Sequence, residues 1–581
     1  MPTVTINGQK CEFEPGQMIL QVANANGVDI PQYCYHDGLT IVASCRICLG
    51  EVWAPNPRND NKLEPMMGGK LLPTCQTPAS DGMVVHTDSP KAVANQKGVM
   101  EYLLINHPLD CPVCDQAGEC TLQDFSYEYG RGVSRFEETK VKQPKKDLGP
   151  HVYLYSDRCI LCTRCVRFTQ EVSGTNEIMV QGRGNDSQID VFPGVALDNE
   201  LSANVIDLCP VGALLDKDFL FTQRVWFLKK TATIDGVTAS GDNIWAEHNQ
   251  GKMYRFRPRE NASVNRWWIT DEVRYSWKFV HSDTRLTTPM HRQFGVLEET
   301  SYIRAVQDAV EGLRKAAEKS GKLTLVVSPM LSCEDAYSLV QAARAIHENV
   351  EYAVGPVPVH GEDKVFPKGT SKDDPKAFIA YAEKAPNARG VKRVLEGLGC
   401  TVTDFNAAVR NATSLILTGN YPSRWDTDEL RNALKDTFVV LIDTLHSPLV
   451  DDADIVLPGA VWLEKAGTFE NARGMVQAFE AAIPSPGSAN SEGQIGNDLL
   501  AVAEGKALNT PSGSTVHIVD EGPGQVPNAL RTRLPHGNIF NAANTRAAMA
   551  ALNGPLGVFG DAVSSPQAPE AVESDMQVVA L

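Results

Sequence analysis

Residues 107–120 read HPLDCPVCDQAGEC, a histidine followed at fixed spacing by Cys111, Cys114 and Cys120. Two further cysteine groups flank this stretch. Upstream lie Cys34, Cys45, Cys48 and Cys75, with gaps of 10, 2 and 26 residues; downstream lie Cys159, Cys162, Cys165 and Cys209, with gaps of 2, 2 and 43. Only Cys11, Cys333 and Cys400 stand outside the three groups. Iron–sulfur clusters are held by thiolates, usually four, with imidazole an occasional substitute. Each group supplies the ligands of one cluster, and three clusters in so short a stretch serve to pass electrons along a line.

The rest of the composition bounds the chain. Its 581 residues imply several domains, because single cores rarely grow beyond roughly 250–300 residues. Hydrophobic residues make up 43% and charged residues 22%, as in ordinary globular proteins. Lys and Arg total 54 against 71 Asp and Glu, a net charge of -17, which argues against nucleic acid and against a polybasic membrane anchor. No run approaches the roughly 18–20 apolar residues that span a bilayer. The opening MPTVTINGQKCEFEPG lacks the features of a secretory signal and is not Arg-rich. Fourteen cysteines in such a chain point to metal and not to disulfides, and to a reducing, cytosolic compartment.

Local patterns organise the chain. VTING and KCEFEP predict a hairpin, Met18–Val28 a helix, and Val93–Ile105 a second helix ending where the His107 group begins. KVKQPKKDLGP (140–150) reads as a linker. Beyond 300 helix and strand alternate: residues 302–321 form an amphipathic helix ended by Gly321, and LTLVVS (323–328), SLILTG (414–419), FVVLID (438–443) and DIVLPG (454–459) are short apolar strands. That alternation predicts a parallel α/β sheet. After about 485 the chain turns rich in Gly, Pro, Ser and Ala, and the last twenty residues read as a mobile tail.

Each cysteine group has a plainer alternative. The first has the layout of a plant-type ferredoxin, three clustered cysteines and a remote fourth around a 2Fe–2S cluster, though its first gap is longer; zinc or free thiols are the alternatives. Cys11, in the opening hairpin, reads as a small buried side chain. The second group has only three thiolates, so His107 supplies the fourth ligand, with Pro108 holding the chain extended. A neutral imidazole raises the potential relative to an all-Cys site. A zinc site of three cysteines and one histidine would use the same residues. The third group is similar to the bacterial ferredoxin run, three cysteines at x2 spacing and then Cys209-Pro210, and closes one 4Fe–4S centre on itself.

In this order, the three groups closely resemble the large iron–sulfur subunit (G type or 75 kDa type) of NADH:quinone oxidoreductase, respiratory complex I. HPLDCPVCDQAGEC carries most of that resemblance, and NRWWITDEVRYSWKFVHSDTRLTTPMHR (265–292) and ADIVLPGAVWLEKAGTFENARGMVQ (453–477) extend it into a molybdopterin-oxidoreductase-like part. The resemblance implies a multidomain α+β and α/β fold. Residues 1–90 form a 2Fe–2S ferredoxin-like β-grasp domain, 91–145 a 4Fe–4S domain with one histidine and three cysteine ligands, and 146–225 a 4Fe–4S ferredoxin-like domain. Residues 226–290 form a degenerate Mo/W-pterin-type 4Fe–4S domain without its cluster, 291–485 a truncated molybdopterin-oxidoreductase-like α/β domain and 486–581 a Gly/Pro/Ala-rich extension.

The same resemblance implies one 2Fe–2S cluster, two 4Fe–4S clusters and no molybdopterin. Electrons enter at the 2Fe–2S centre, pass to the all-Cys 4Fe–4S centre, and leave from the His107-ligated one. The expected partners are a flavin/NADH-binding subunit and other peripheral-arm subunits, with the membrane arm reached only indirectly. The enzyme is the proton-translocating NADH:quinone oxidoreductase, no catalytic residue lies on this chain, and the complex sits on the cytoplasmic side of the plasma membrane. Many bacterial members hold a fourth cluster; here that segment reads TATIDGVTASGDNIW (231–245), with Ile234, Val237 and Asp242 near the ligand places. Gly467, Asn471 and Arg473 are expected to be structural despite their likeness to a phosphate loop. The competing readings are a relay subunit of a soluble NAD-linked hydrogenase or formate dehydrogenase, and a zinc-rich scaffold. A hydrogenase fusion would need further cysteines downstream, and a formate dehydrogenase an intact pterin domain.

Overall fold

The computed structural model describes residues 1–508 and 539–564. The chain divides into two compact units, Met1–Phe227 with Phe366–Thr370, and Leu228–Val365 with the chain from Ser371 onward.

The first unit opens with the predicted hairpin. Strand β1 (Thr3–Ile6) pairs antiparallel with β2 (Gln9–Glu12). Asn7 and Gly8, both at positive φ, make the tight turn that matches strand twist. Alternation along β2 turns Cys11 inward, where it is fully buried. Helix α1 (Ile19–Ala25) buries Ile19, Leu20, Val22 and Ala23. Strands β3 (Leu49–Asn56), β4 (Lys62–Pro65), β5 (Leu72–Pro73) and β6 (Val84–His86) complete a sheet of order β2-β1-β6-β3-β4, with β5 on β3. Its β1–β6 pair is parallel and the others antiparallel, the mixed sheet of a β-grasp.

Helix α2 (Pro90–Leu104) starts on a Ser89 cap with Pro90 at its first position, and ends before the His107-Pro108 step. Helix α3 (Thr121–Tyr129) begins directly after Cys120. Part of the 140–150 segment is ordered, because β7 (Lys145–Asp147) pairs with β8 (Val152–Tyr155). The chain then runs through α4 (Arg164–Glu171), the β9 (Ile178–Gln181) and β10 (Gln188–Val191) hairpin, α5 (Asn204–Leu208) and β11 (Leu214–Asp216), which pairs with β8.

In the second unit the four apolar runs form parallel strands, Leu323–Val327, Ser414–Thr418, Phe438–Asp443 and Ile455–Pro458. Val350–Val354 and Val402–Thr403 extend the parallel set, and an antiparallel hairpin, Met290–Gln293 with Val296–Glu299, covers the other edge. Side chains alternate strictly: Leu325, Val327, Ile416, Val440 and Leu457 enter one hydrophobic cluster, while Val326, Leu415, Leu417, Val439 and Val456 enter another. Both faces are therefore covered, as continuous apolar strands require. Helix Tyr302–Ser320 ends at Gly321 with φ 74, as read from the sequence.

The region after 485 is partly core. Helix Glu492–Ala503 contributes Ile495 and Leu499, and Ala542–Ala551 contributes Met549, to the main cluster. In helix Glu492–Ala503 the small residues Gly493 and Gly496 sit where neighbouring chain approaches closely. Within the twenty-residue tail, residues 565–581 lie outside the described residues. Segment 231–245 spans two strands, Lys229–Ile234 and Asn243–Asn249, joined by a buried loop. Asn471 accepts from the amides of Arg473 and Met475, closing a turn beside Gly474 at φ 76, so this stretch is a structural hairpin. Among the described residues no helix is long and apolar enough to cross a membrane.

Gly496 allows one close helix–helix contact in the second unit to be tested. A Cβ there would lie 2.8 Å from the Ser338 carbonyl carbon and 3.0 Å from the Leu339 nitrogen. Alanine gains about 1 kcal/mol of helix propensity, but overpacking against backbone costs about 1–3 kcal/mol. Gly496→Ala should lower the urea midpoint of the full chain; an equal or higher midpoint would show that the helices have room.

Candidate metal centres

The first group is assembled by the β-grasp sheet. Cys34 follows α1, Cys45 and Cys48 lie on the loop entering β3, and Cys75 follows β5. Ala43 and Arg46, at φ 50 and 60, curl that loop around its own centre. Thr74 bonds the Cys48 carbonyl through both its amide and its hydroxyl, fixing the remote cysteine to the loop. The thiols fall into two pairs: Cys34 is drawn below the usual thiol range by its hydrogen bond with Cys45, and Cys48 by its bond with Cys75. Cys45 and Cys75 are raised correspondingly. Cys34, Cys48 and Cys75 are buried.

The second group wraps a loop between α2 and α3. Cys111–Val113 form a single 3-10 turn, and Arg224 donates to the carbonyls of Pro112 and Cys114 to hold it. Cys120 sits at the start of α3, where the amides of Leu122 and Gln123 point at its sulfur. Burial raises the Cys120 thiol to about 11 and pushes Cys114 up as well. Burial, then Arg158 and Lys140, hold His107 down at about 4, so its imidazole is neutral, the form that ligates metal. Cys111 is exposed.

The third group lines one cavity, shared by Cys159, Cys162, Cys165 and Cys209 and walled by Leu154, Ile160, Ile189 and Val211. Leu161 and Thr163, at φ 53 and 60, are non-glycine residues in the left-handed region, and they turn three cysteines toward one point. Amides of Leu161, Arg164 and Val166 approach the sulfurs of Cys159, Cys162 and Cys165. Those of Val211, Ala213 and Leu214 approach Cys209. N–H donors aimed at sulfur stabilise thiolate charge, which burial alone disfavours. Pro210, which has no N–H, separates Cys209 from this set.

Residues shared between groups were missed by sequence reading. Arg164 donates to the carbonyls of Tyr35 and Leu208, neighbours of Cys34 and Cys209. Arg167 donates to those of Cys34 and Thr40, and Glu171 accepts from Thr40. Arg158, 2% exposed, pairs with Asp110 at 2.8 Å and donates to Gly212, tying the second group to the third. Tyr33, fully buried, lies within electrostatic reach of both Cys45 and Cys120, and its ring meets Phe125 edge-on at 5.2 Å. The only sequence signal was Arg interleaved with Cys in CTRCVRF.

The donor set, eleven cysteines and one histidine in three groups, is of the type that holds iron–sulfur clusters. Among the described residues no three His, Cys, Asp or Glu side chains are arranged to hold one metal ion. The Nε atoms of Arg164 and Arg167 are buried without a hydrogen-bond partner among the described residues. In the second unit Ile234 and Val237 carry no donor and pack with Trp462 and Phe479, while Asp242 is buried.

Comparison with known proteins agrees with this layout. Residues 1–90 match a 2Fe-2S iron-sulfur cluster binding domain, and 96–135 the NADH-ubiquinone oxidoreductase-G iron-sulfur binding region. Residues 149–215 match the ferredoxin-like domain of NADH-quinone oxidoreductase subunit 3. Residues 228–278 match an NDSU1/NuoG-like 4Fe-4S domain, and 395–502 molybdopterin oxidoreductase. The 228–278 stretch contains no cysteine, so it offers no thiolate. The mitochondrial NADH-ubiquinone oxidoreductase 78 kDa subunit of Candida albicans is 32% identical over 85% of this chain and 81% of its own length. The G subunit of NADH-quinone oxidoreductase from Rickettsia felis is 36% identical over 60% of this chain and 50% of its own. A solved NAD+-reducing [NiFe]-hydrogenase chain is 29% identical over 39% of this chain and 91% of its own, with a TM-score of 0.34, too low to bear on the fold. The order of the iron–sulfur domains and the span of these matches make the chain a member of the family formed by the G subunit of NADH-quinone oxidoreductase and its mitochondrial 78 kDa counterpart.

Proposed function

We propose that this chain relays electrons within an NADH:quinone oxidoreductase, between a flavin- and NADH-binding subunit and the subunits that reduce quinone, on the cytoplasmic side of the plasma membrane. The observation that carries the reading is that one compact unit holds all three cysteine groups, with a side chain shared between each two of them. Bound iron–sulfur clusters supply one-electron chemistry at potentials set by ligand type, hydrogen bonds and burial.

In this reading Cys34, Cys45, Cys48 and Cys75 would hold one 2Fe–2S cluster, and their thiols fall into two hydrogen-bonded pairs. Cys159, Cys162, Cys165 and Cys209 hold one 4Fe–4S cluster; His107, Cys111, Cys114 and Cys120 hold the second. The chain's own residues set the conditions: amides aimed at sulfur favour thiolates, apolar walls exclude water, and neutral His107 removes one negative charge. Cys111 shares one open depression with exposed Tyr127 and Trp226 and with Asp124, Glu128 and Arg224, a mixed aromatic and charged face suited to the next electron-accepting subunit. The pterin-like unit is retained as scaffold: its 231–245 segment has apolar side chains at two of the former ligand places.

Anaerobically purified full chain should carry about ten irons and no zinc, with one binuclear and two tetranuclear EPR signals after dithionite reduction. Iron near six with one zinc would make the His107 group structural. His107→Ala should disturb one tetranuclear signal and leave the other two centres intact; an unchanged spectrum removes His107 from the ligands. A Cβ at Gly212 would fall 2.2 Å from the Cys114 sulfur, so Gly212→Ala should weaken the His107-group signal and spare the binuclear one. Wild-type spectra from that variant would show that the third group's loop does not press on Cys114.

A further inference from the structure

Arg164 stands between Cys162 and Cys165 in sequence, yet its side chain also serves the first group. Its guanidinium donates to the Tyr35 carbonyl at 2.5 Å and to the Leu208 carbonyl at 3.4 Å, next to Cys34 and Cys209 respectively. Cys162, Cys209 and Cys34 all lie within its electrostatic reach. Cys162 and Cys34 also sense one another, so the two groups are near neighbours with Arg164 and Arg167 at their boundary, and among the described residues only Arg164 of the two also reaches the loop before Cys209. Among the described residues Arg164 forms no ion pair with a carboxylate, and its Nε is buried without an acceptor. A guanidinium does not lose its proton in proteins, and an unpaired buried charge is costly. What remains to balance it is the negative charge of the two four-thiolate sites.

We propose that Arg164 is the shared counter-charge of the first and third cysteine groups, donating its Nε–H to a sulfur of one of them and raising the reduction potentials of both. This rests on the ligand assignment above. Reduction adds negative charge at each site, and a fixed cation favours the reduced form. Hydrogen bonds to cluster sulfurs act in the same direction. The His107 group is served by Arg158 instead, so it lies outside the influence of Arg164.

EPR-monitored potentiometric titration of the full, cluster-loaded chain tests this. Arg164→Gln should make both all-cysteine centres harder to reduce by about tenfold in equilibrium constant, about 59 mV for a one-electron couple, and leave the His107 centre unmoved. Arg164→Lys, which keeps the charge, should shift both by less than half as much. Full iron content with unmoved potentials in Arg164→Gln overturns the proposal, as does a lysine variant that shifts as far as the glutamine one. A second measurement uses the chain labelled with arginine carrying 15N in the guanidinium group alone, comparing wild type with Arg164→Lys, in which any coupling from Arg164 is lost. Pulsed EPR should detect nitrogen coupled to at least one of the two reduced centres, and its absence on both overturns the proposal even where the variants lose iron. Missing binuclear or tetranuclear signals in the wild type would instead reject the ligand assignment, so the two failures are distinguishable.

Discussion

The first unit is governed by one constraint: thiolate charge must be gathered where water is scarce. Burial alone pushes thiols toward their neutral form, as at Cys114 and Cys120. The fold opposes that with short-range donors. Left-handed turns at Leu161 and Thr163 expose amides to sulfur, the Cys209 loop adds three more, and the start of α3 offers two to Cys120. Such turns are strained for non-glycine residues, and they persist because neighbouring arginines and apolar walls hold the loops. Arg158, Arg164 and Arg167 each donate to backbone carbonyls of another cysteine loop.

This arrangement explains why the groups are not independent modules. Removing Arg158 would free Asp110 and Gly212 together, loosening the second and third groups at once. The α4 helix does the same for the first and third, through Arg164, Arg167 and Glu171. Fixed distances between electron carriers follow from shared side chains and not from a rigid linker. The 140–150 segment adds the short β7 strand, and Lys140 donates to the Leu104 and Ile105 carbonyls just before His107.

The cysteine groups were legible in the sequence because ligand spacing is local, a few residues around one loop. The parallel strands were legible because sheet burial on both faces demands unbroken apolar runs, as in FVVLID. What escaped was non-local or small-residue chemistry. Arg164 and Arg167 find their acceptors 129 and 133 residues away, a distance that no periodicity reveals. The helix Glu492–Ala503 hid in a Gly- and Ala-rich stretch, since composition alone does not separate a flexible tail from a helix that must approach its neighbour closely at Gly496. The edge hairpin Met290–Gln293 with Val296–Glu299 was hidden by its mixed polar pattern, which suits a strand with one solvated side.

The second unit keeps an α/β architecture, in which ligands ordinarily bind beyond the carboxyl ends of the strands. Here that crest is filled by the chain itself. The Asp443 carboxylate accepts from the amides of Asn420 and Thr444 and from the Trp425 indole, and a Cβ at Gly419 would fall 2.2 Å from it. Asn420 donates in turn to Glu492, which with Asp335 surrounds Lys465. Donors and acceptors on this crest are turned on one another. A buried polar network is stable only when its members are satisfied, and here Asp443, Asn420, Glu492, Asp335 and Lys465 satisfy one another, which fixes the ends of the strands that carry them.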